Sequence, residues 1–500
     1  MGAYTLYVDF DNDGTFISTG ENITNRLLSV GCRRGRDFAS QIQGRSIAGI
    51  LNAELNNESK DYSSFNSSSP LFGSLLPGRL VQLQENGTPL WTGYLKNIHP
   101  VPSVKALNVA QFEAQGPLGY LNQREVSLPV LSNILTGTIV GSVLDGVNWG
   151  SAKRTLDVGQ TTISKFWLDK TKIVDGLREL EDTEAGFIVE TKDGKVAYED
   201  RHHRLNSPHD VAQVIISDVA GTILIAGIEQ IDSIEQIANI FEANISLFTE
   251  GSSTVLWTMP ESGTASPLVG RGGGTRIFWA RYPGPDAASD AIAVNAWTTP
   301  ASGTDFVANS STGGTGTNLT SDLSVAVIKY GNEMKITLTN SGTTDAYLTT
   351  LQARGNPLTQ SDPVKVSRND DISGTLYGTR TYSNPAKWIP DTEMADSWCD
   401  FNLSIYKNLL PVLAVQFDAH RNGTQLAQAR TREISDRITI QGTGSCGLGI
   451  KEDFFIEAIH HDIKTTGEHT VIYECSQAKS FSDFWILGVS NLGTNTRLAY

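Results

Sequence analysis

Alternating apolar and polar residues mark the first part of the chain. Residues 4–10 alternate, and the runs 80–84 and 90–95 flank the pair Asn86-Gly87. An Asn-Gly pair between two alternating runs is a strong hairpin signal, because both residues accept the positive φ that a tight turn requires. Residues 1–110 are therefore predicted to form strands and hairpins.

Helical spacing is clearest in residues 171–185. Ile173, Leu177 and Leu180 recur at i, i+4 and i+7, so they share one helix face, and Gly186 follows as a C-terminal stop. The pattern predicts an amphipathic helix that ends just before this glycine.

A second hairpin is predicted after the helix, where residues 187–191 and 196–199 flank Asp193-Gly194. Residues 232–241 leave two interpretations open, a short helix or the start of a strand. Residues 111–240 are therefore predicted to be a mixed α+β domain.

Residues 241–355 differ in composition from the rest of the chain, because they contain only nine acidic and six basic side chains. Glycine, serine and threonine crowd the loops of this stretch. Short apolar runs are spaced evenly between those loops, at 254–258, 277–280, 324–329 and 333–338. The spacing predicts an immunoglobulin-like β-sandwich inserted into the chain.

Longer apolar elements return in the last part of the chain, for example at 454–459 and in the alternating run 469–474. With the earlier segments they predict a mainly β chain, a β-rich α+β protein of several domains. The predicted domains are residues 1–110, 111–240, 241–355 and 356–500.

Charge and cysteine content narrow the function classes. The 500 residues include 39 basic and 54 acidic side chains, for a formal net charge of −15. This balance argues against a protein that grips nucleic acid, because such a protein needs basic groups to neutralise phosphates. Four widely spaced cysteines without a C-x-x-C pair exclude a zinc knuckle and favour reduced thiols in a chain folded in a cytoplasm.

The chain shows no pattern of a targeting or membrane segment. The first nine residues lack a basic region, and no apolar run approaches the roughly 18 residues that a membrane helix needs. We therefore expect neither a signal peptide nor a membrane span.

An acidic cluster after the first predicted strand resembles the first half of a calcium loop. Asp9, Asp11 and Asp13 alternate there. An EF-hand also needs a glutamate at loop position 12, whose two oxygens complete the coordination shell. That position is Gly20, and Glu21 comes one residue late. A turn that ends the strand is therefore the favoured interpretation.

A glycine-rich segment, residues 442–447, fits the pattern G-x-G-x-x-G after a predicted strand. A dinucleotide site also needs a helix directly after the glycines, and the following residues are strand-like. The glycines at 270–274 lack the Gly-Lys-Ser/Thr ending of a phosphate-binding P-loop. Ser445 is not a nucleophile elbow, because Thr443 stands where that motif needs glycine.

Two pairs of adjacent histidines, at 202–203 and 460–461, are predicted to be solvated or interface residues. Neighbours on a strand point to opposite faces, so they rarely bind one metal ion. The carboxylates of the predicted helix and its end are predicted to form a solvated face; they are Glu179, Glu181, Asp182 and Glu184. No catalytic, cofactor-binding or metal-binding residue is nominated, no cofactor is expected, and the chain is predicted not to be an enzyme.

The order of several segments resembles the baseplate-hub, or tail-tip hub, proteins of long-tailed bacteriophages. The most specific part of the likeness lies in Tyr62-Ser-Ser-Phe-Asn66, Ser69-Pro-Leu71, Leu76-Pro-Gly-Arg79 and Trp91-Thr-Gly93. Further similar segments, in chain order, are 8–16, 22–24, 33–36, 47–50, 175–186, 193–201, 432–437, 455–460 and 485–488. The likeness is weakest in 241–355.

This resemblance implies a structural virion protein at the tail tip, assembled in the host cytoplasm. It implies a homotrimer with two β-barrel-like modules per chain, at 1–110 and 356–500, so that six barrels match the sixfold tail tube. Its implied partners are the distal tail ring, the tape measure, and fibres or a spike. The hub closes the tail and opens for DNA, which an acidic wall would repel and not hold.

Two other function classes stay open. The first is a carbohydrate-binding adhesin built of β-sandwiches, in which residues 241–355 contact host glycan. Trp257, Trp279 and Trp297 could serve that contact, although core packing is the favoured role for them. The second is a tail-associated cell-wall hydrolase.

Overall fold

The computed structural model describes residues 3–37, 45–219, 223–261, 264–284, 287–288 and 290–478, together with the backbone of two short strands beyond them. Strands account for 46% of the protein and helices for 16%, which confirms the mainly β fold class. No helix in the described ranges is long and apolar enough to cross a membrane. Residues 486–488, the end of the last hub-like segment, lie outside these ranges.

The first six strands form one antiparallel array in the order β1-β4-β5-β6-β3-β2. They are β1 (Tyr4–Val8), β2 (Leu27–Arg36), β3 (Ser46–Asn56), β4 (Leu80–Glu85), β5 (Thr88–Val101) and β6 (Val109–Gln115). The predicted hairpin joins β4 to β5, where Asn86 and Gly87 have φ of 48° and 77°. Its apolar face lies in a core with Leu6, Leu83 and Trp91.

Two small sheets, β7-β9 and β10-β11-β8, and three helices follow. Their elements are α1 (Pro117–Leu121), β7 (Glu125–Leu135), α2 (Thr136–Asp145), β8 (Arg154–Leu156), β9 (Thr162–Lys172), α3 (Ile173–Glu184), β10 (Phe187–Glu190) and β11 (Val196–Glu199). The predicted helix is α3, and its apolar face is buried as expected. Ala185, at φ 55°, ends it, and Gly186 is required for a different reason: a Cβ there would lie 2.4 Å from the Glu199 carbonyl oxygen.

The next strands are β12 (Ile215–Ser217), β13 (Ile223–Leu224), β14 (Gly227–Ile231) and β15 (Ile240–Ile245). Residues 232–241 contain parts of both interpretations: Ser233 caps one short 3₁₀ turn at Ile234–Gln236, and β15 begins at Ile240. Strand β15 then leads into the low-charge segment.

The low-charge segment forms two sheets over one core. Its strands are β16 (Phe248–Glu250), β17 (Thr254–Met259), β18 (Leu268–Val269), β19 (Gly274–Arg281), β20 (Ala291–Thr298), β21 (Phe306–Asn309), β22 (Leu323–Lys329), β23 (Glu333–Asn340) and β24 (Ala346–Gln360). The long β24 pairs on both edges within one sheet, and β19-β23-β22 form the other. Phe278, Phe306 and Ile336 pack between them. The immunoglobulin-like arrangement stays a prediction.

Three helices that the sequence analysis did not predict lie in the last part. The elements are β25 (Val364–Asn369), α4 (Asp371–Tyr377), β26 (Thr381–Asn384), α5 (Thr392–Tyr406), β27 (Val412–Asp418), α6 (Gly423–Thr431), β28 (Arg437–Gly442), β29 (Ile450–Lys464), β30 (His469–Gln477), β31 (Phe484–Trp485) and β32 (Arg497–Leu498). Asp391 caps α5 by accepting a hydrogen bond from the Met394 backbone N–H at 2.8 Å.

One sheet connects the two ends of the chain. Strand β29 pairs with β28 along its first half and with β2 along its second half, from Ala458 to Lys464. Strand β30 runs along the opposite edge of β29 and leads to β27 and β14. The N-terminal and C-terminal arrays are therefore hydrogen-bonded to each other. The four domain boundaries stay predictions.

Strand pairing also brings together the two points where the chain leaves and returns from the sandwich. Ile245, the last residue of β15, pairs with Val364, the first residue of β25. Because these neighbours lie side by side, the sandwich extends from a small sheet without interrupting the rest of the fold.

Candidate functional site

A tight acidic loop follows β1, and Asp9 organises it. The Asp9 carboxylate, which is buried, accepts hydrogen bonds from the backbone N–H groups of Asn12 at 2.6 Å and Gly14 at 2.9 Å. Asn12 and Gly14 have φ of 64° and 84°, conformations that asparagine and glycine accept most readily. The Asp-Asn-Asp-Gly sequence thus folds back on the end of β1.

Strand pairing returns the chain to the same place at Glu21. The Val8 backbone N–H donates to the Glu21 carbonyl oxygen at 2.9 Å, and the Glu21 side chain is only 1% exposed. Its Oε2 accepts a hydrogen bond from the Ser18 N–H at 2.8 Å. Its Oε1 is buried without a hydrogen-bond partner.

Three carboxylates meet in this loop. One oxygen each from Asp9, Asp11 and Glu21 lie within 4.8 Å of one another. Burial raises the pKa of Glu21, and the negative charges of Asp11 and Asp9 raise it further, against the Ser18 hydrogen bond that lowers it. Among the described residues, this is the only group of three or more His, Cys, Asp or Glu side chains arranged to hold a metal ion.

By position along the chain, Glu21 falls one residue outside an EF-hand loop that starts at Asp9. In the structure a strand, β1, precedes the loop, so the loop is not an EF-hand. The backbone pairing of Val8 with Glu21 nevertheless brings the glutamate to the two aspartates. The sequence signal that could have found it is a carboxylate close behind the Asp-x-Asp-x-Asp-Gly turn.

The glycine-rich segment after β28 is a loop, and strand β29 follows it, as the sequence indicated. The Asp218 carboxylate accepts hydrogen bonds from the N–H groups of Gly444 at 3.0 Å and Cys446 at 2.8 Å. These are the donors that a bound phosphate would need. The Asp218 carboxylate already accepts the hydrogen bonds of both N–H groups.

The adjacent histidines of β29 point to opposite sides, as their strand position predicts. The prediction of a solvated or interface residue is wrong for His461, which is buried with its Nδ1 2.9 Å from His469 Nε2. His460 lies at the other face, with its Nε2 2.6 Å from Glu474 Oε1. The pair therefore does not converge on one ligand.

The prediction of a solvated carboxylate face on α3 is wrong for Glu181 and Glu184, which are buried. Glu184 accepts hydrogen bonds from Arg201, from the Thr136 hydroxyl and from the Thr161 N–H. Burial raises the pKa of Glu181 to about 7. The helix faces another layer on this side, and only the tertiary structure supplies that layer.

The three tryptophans of the sandwich have different roles. Trp297 is 4% exposed and donates from Nε1 to the Tyr330 carbonyl oxygen at 2.8 Å, so it belongs to the core. Trp257 packs partly against the same core. Trp279 is 42% exposed on β19, with Lys335 Nζ 5.9 Å from its ring centre. Core packing is thus the role of the first, and Trp279 faces solvent.

No family model matches the chain, and no curated protein does. Solved structures are similar over almost the whole length. The chain is similar to the 43 kDa tail protein of prophage MuSo2 from Shewanella oneidensis, with a TM-score of 0.51, 10% identity, and 96% of this chain and 99% of that one covered. It is also similar to a tail protein from Neisseria meningitidis MC58, with a TM-score of 0.52, 8% identity, and 96% and 98% covered.

The fold is therefore that of bacteriophage tail proteins. The likeness to phage tail proteins that the sequence indicated is confirmed at the level of the fold. Identities of 8% and 10% explain why only scattered segments carried it.

Proposed function

We propose that this protein is a structural component of a long-tailed phage virion, the hub of its tail tip or baseplate. The observation that carries the proposal is the full-length likeness, in both directions, to two tail proteins, one of which comes from a prophage. The sheet that joins the N-terminal and C-terminal arrays through β2 and β29 supports it, because a ring subunit needs a rigid connection between its two modules.

The proposed assembly is a homotrimer in which three chains supply six barrel-like modules beneath a sixfold tube. Exposed apolar side chains between β3 and β4 support a subunit contact there. Phe65 is 95% exposed, Phe72 53% and Leu76 48%, and all three lie in the one segment between β3 and β4. Soluble monomers rarely leave neighbouring large apolar groups in water, so another protein surface is the expected cover.

The proposed role is non-catalytic. The hub would close the tube, bind the distal tail ring, tape measure and fibres or spike, and open for DNA. A net charge of −15 supports passage without retention, because acidic walls repel phosphates over the roughly 8 Å at which salt screens charge.

The oligomeric state of the purified full-length chain tests the trimer. Light scattering is expected to give three times the 54.1 kDa chain mass, and labelled antibody is expected to mark the tail tip of purified virions. Phe65→Ser is expected to shift the equilibrium toward monomer, while Val104→Ser, an equally exposed apolar position, leaves it unchanged. A monomer at every concentration, together with absence from virions, contradicts the proposal.

A second role, contact with host glycan through the sandwich, is favoured by the exposed ring of Trp279. Aromatic faces that lie open to solvent are suited to stack on sugar rings. Full-length protein is expected to bind a glycan array, and Trp279→Ala is expected to remove that binding. Equal binding by the variant assigns the contact elsewhere.

A further inference from the structure

Glu21 is the unusual member of the acidic loop. Its side chain is 1% exposed, and Oε1 has no hydrogen-bond partner. A buried charged oxygen without a partner is costly, since it loses hydration and gains nothing in return. The same side chain lies beside the carboxylates of Asp9 and Asp11.

Repulsion between the three carboxylates makes this arrangement unfavourable unless a cation or a shared proton lies between them. Within the described ranges, Asp9, Asp11 and Glu21 have no ion pair with a lysine or arginine. The Asp9 oxygens accept hydrogen bonds from backbone N–H groups of the loop itself. The loop therefore holds three carboxylates with no basic side chain to neutralise them.

We propose that Asp9, Asp11 and Glu21 bind a calcium ion. Calcium takes oxygen ligands at about 2.3–2.6 Å, so two oxygens on opposite sides of one ion are about 4.8 Å apart. The three carboxylate oxygens lie within 4.8 Å of one another, which fits one ion among them. The unpartnered Glu21 Oε1 supplies a ligand that nothing else uses.

The chemistry distinguishes calcium from its competitors. Magnesium requires octahedral geometry at about 2.0–2.1 Å and keeps several waters, so a loop with three spread carboxylates suits it less well. Zinc prefers nitrogen and sulfur ligands, which this cluster does not contain. Water completes the calcium shell on the exposed Asp11 side.

Bound calcium would tie the loop to the end of β1. The ion would join Asp9 and Asp11, at the start of the loop, to Glu21 at its end. A Cβ at Gly20 would lie 3.8 Å from Leu71, the residue before the exposed Phe72, so the ion would also stiffen the loop beside that segment. The inference does not depend on the proposed hub role.

The test is a titration of the full-length chain with calcium chloride after removal of metals with a chelator. We expect binding heat and a rise in Tm with calcium near about 1 mM, the range of open sites. The same concentration of magnesium is expected to give a smaller rise. No binding heat and no change in Tm with calcium overturn the proposal.

Glu21→Gln separates binding from folding. The variant removes one negative charge from a crowded site, so metal-free protein is expected to keep or raise its Tm while calcium affinity falls by about tenfold or more. Glu261→Gln, an exposed carboxylate of the sandwich, is the control and is expected to bind calcium as the wild type does. Unchanged calcium affinity in Glu21→Gln contradicts the assigned ligands.

Discussion

Glu457 Oε1 accepts a hydrogen bond from Arg204 Nη1 at 2.7 Å, with both side chains buried. Glu457 Oε2 accepts a second from Arg204 Nη2 at 2.9 Å and one from Arg36 Nη1 at 3.0 Å. Burial alone would raise the pKa of Glu457, but the two arginine charges lower it to about 2. This one carboxylate on β29 thus joins β2 to the segment that follows β11.

Loss of the Glu457 charge is expected to destabilise the fold strongly. Glu457→Gln removes the charge that Arg36 and Arg204 share in a buried site, which lowers the free energy of unfolding by about 3–5 kcal/mol. Urea denaturation measures this change. Glu468→Gln, which removes an exposed ion pair with Lys464, is the control and is expected to leave the midpoint unchanged. Equal midpoints for the two variants would show that the buried pair is dispensable.

The pairing of β2 with β29 is expected to tolerate no side chain at Gly35. Its φ is +124°, and a Cβ there would lie 2.3 Å from the Glu457 carbonyl oxygen. Gly35→Ala must therefore separate the strands that join the two arrays, and we expect a loss of more than about 2 kcal/mol. Gly31→Ala lies on the same strand with 3.7 Å to its nearest atom, and is the matched control. Thermal melting of both variants checks the difference.

The buried histidines are expected to make stability depend on mild acid. Burial lowers the pKa of His469 to about 3 and lowers that of His461 as well. In the unfolded chain both titrate near about 6.5, so their contribution is complete above that pH and is lost as the pH falls below it. His461→Gln is expected to flatten the fall in Tm between about pH 7 and pH 5. The exposed His99→Gln serves as the reference, and an identical fall in both variants would contradict this assignment.

Glu190 is expected to change the stability in the opposite direction to the histidines, so that stability is lost as the pH rises. Its buried carboxyl group accepts hydrogen bonds from the backbone N–H groups of Gly49 and Leu118, both at 2.6 Å. These bonds lower its pKa, but burial has the larger effect and raises the pKa to about 7. A carboxyl whose folded pKa is raised contributes stability below its unfolded pKa, and loses it as the pH rises through about 7. Glu190→Gln should therefore gain stability relative to the wild type between about pH 5 and pH 8.

Urea denaturation at both pH values measures this gain. Glu58→Gln, at an exposed carboxylate, controls for the general effect of removing a negative charge. A constant difference between Glu190→Gln and the wild type over this range would show that Glu190 does not titrate there.

Elements with local signals were predictable from the sequence. The β4–β5 hairpin follows from Asn86-Gly87, because the turn conformation depends on those two residues alone. Helix α3 follows from the spacing of its apolar residues. Helix α5 carries similar signals that the sequence analysis did not use, the Asp391 cap and the buried spacing of Ala395, Trp398 and Cys399.

Only part of the candidate site could be predicted from the sequence. Asp9 and Asp11 stand out in an Asp-x-Asp-x-Asp-Gly turn, but the role of Glu21 depends on its pairing with Val8 across the loop. The EF-hand motif fixes the spacing of its ligands for a loop between two helices. A loop that follows a strand has a different backbone conformation, so the same spacing does not apply to it. The count therefore excluded a residue that the structure brings to the cluster.

The sequence by itself determined the mainly β class, the turns and the helix whose signals lie within a few residues. Only the tertiary structure decided that β29 joins β2, that Glu181 and Glu184 are buried, and that Glu21 meets Asp9. The physical reason is distance along the chain. Local backbone preferences act between near neighbours, whereas burial and strand pairing depend on segments hundreds of residues away, as between Arg36 and Glu457.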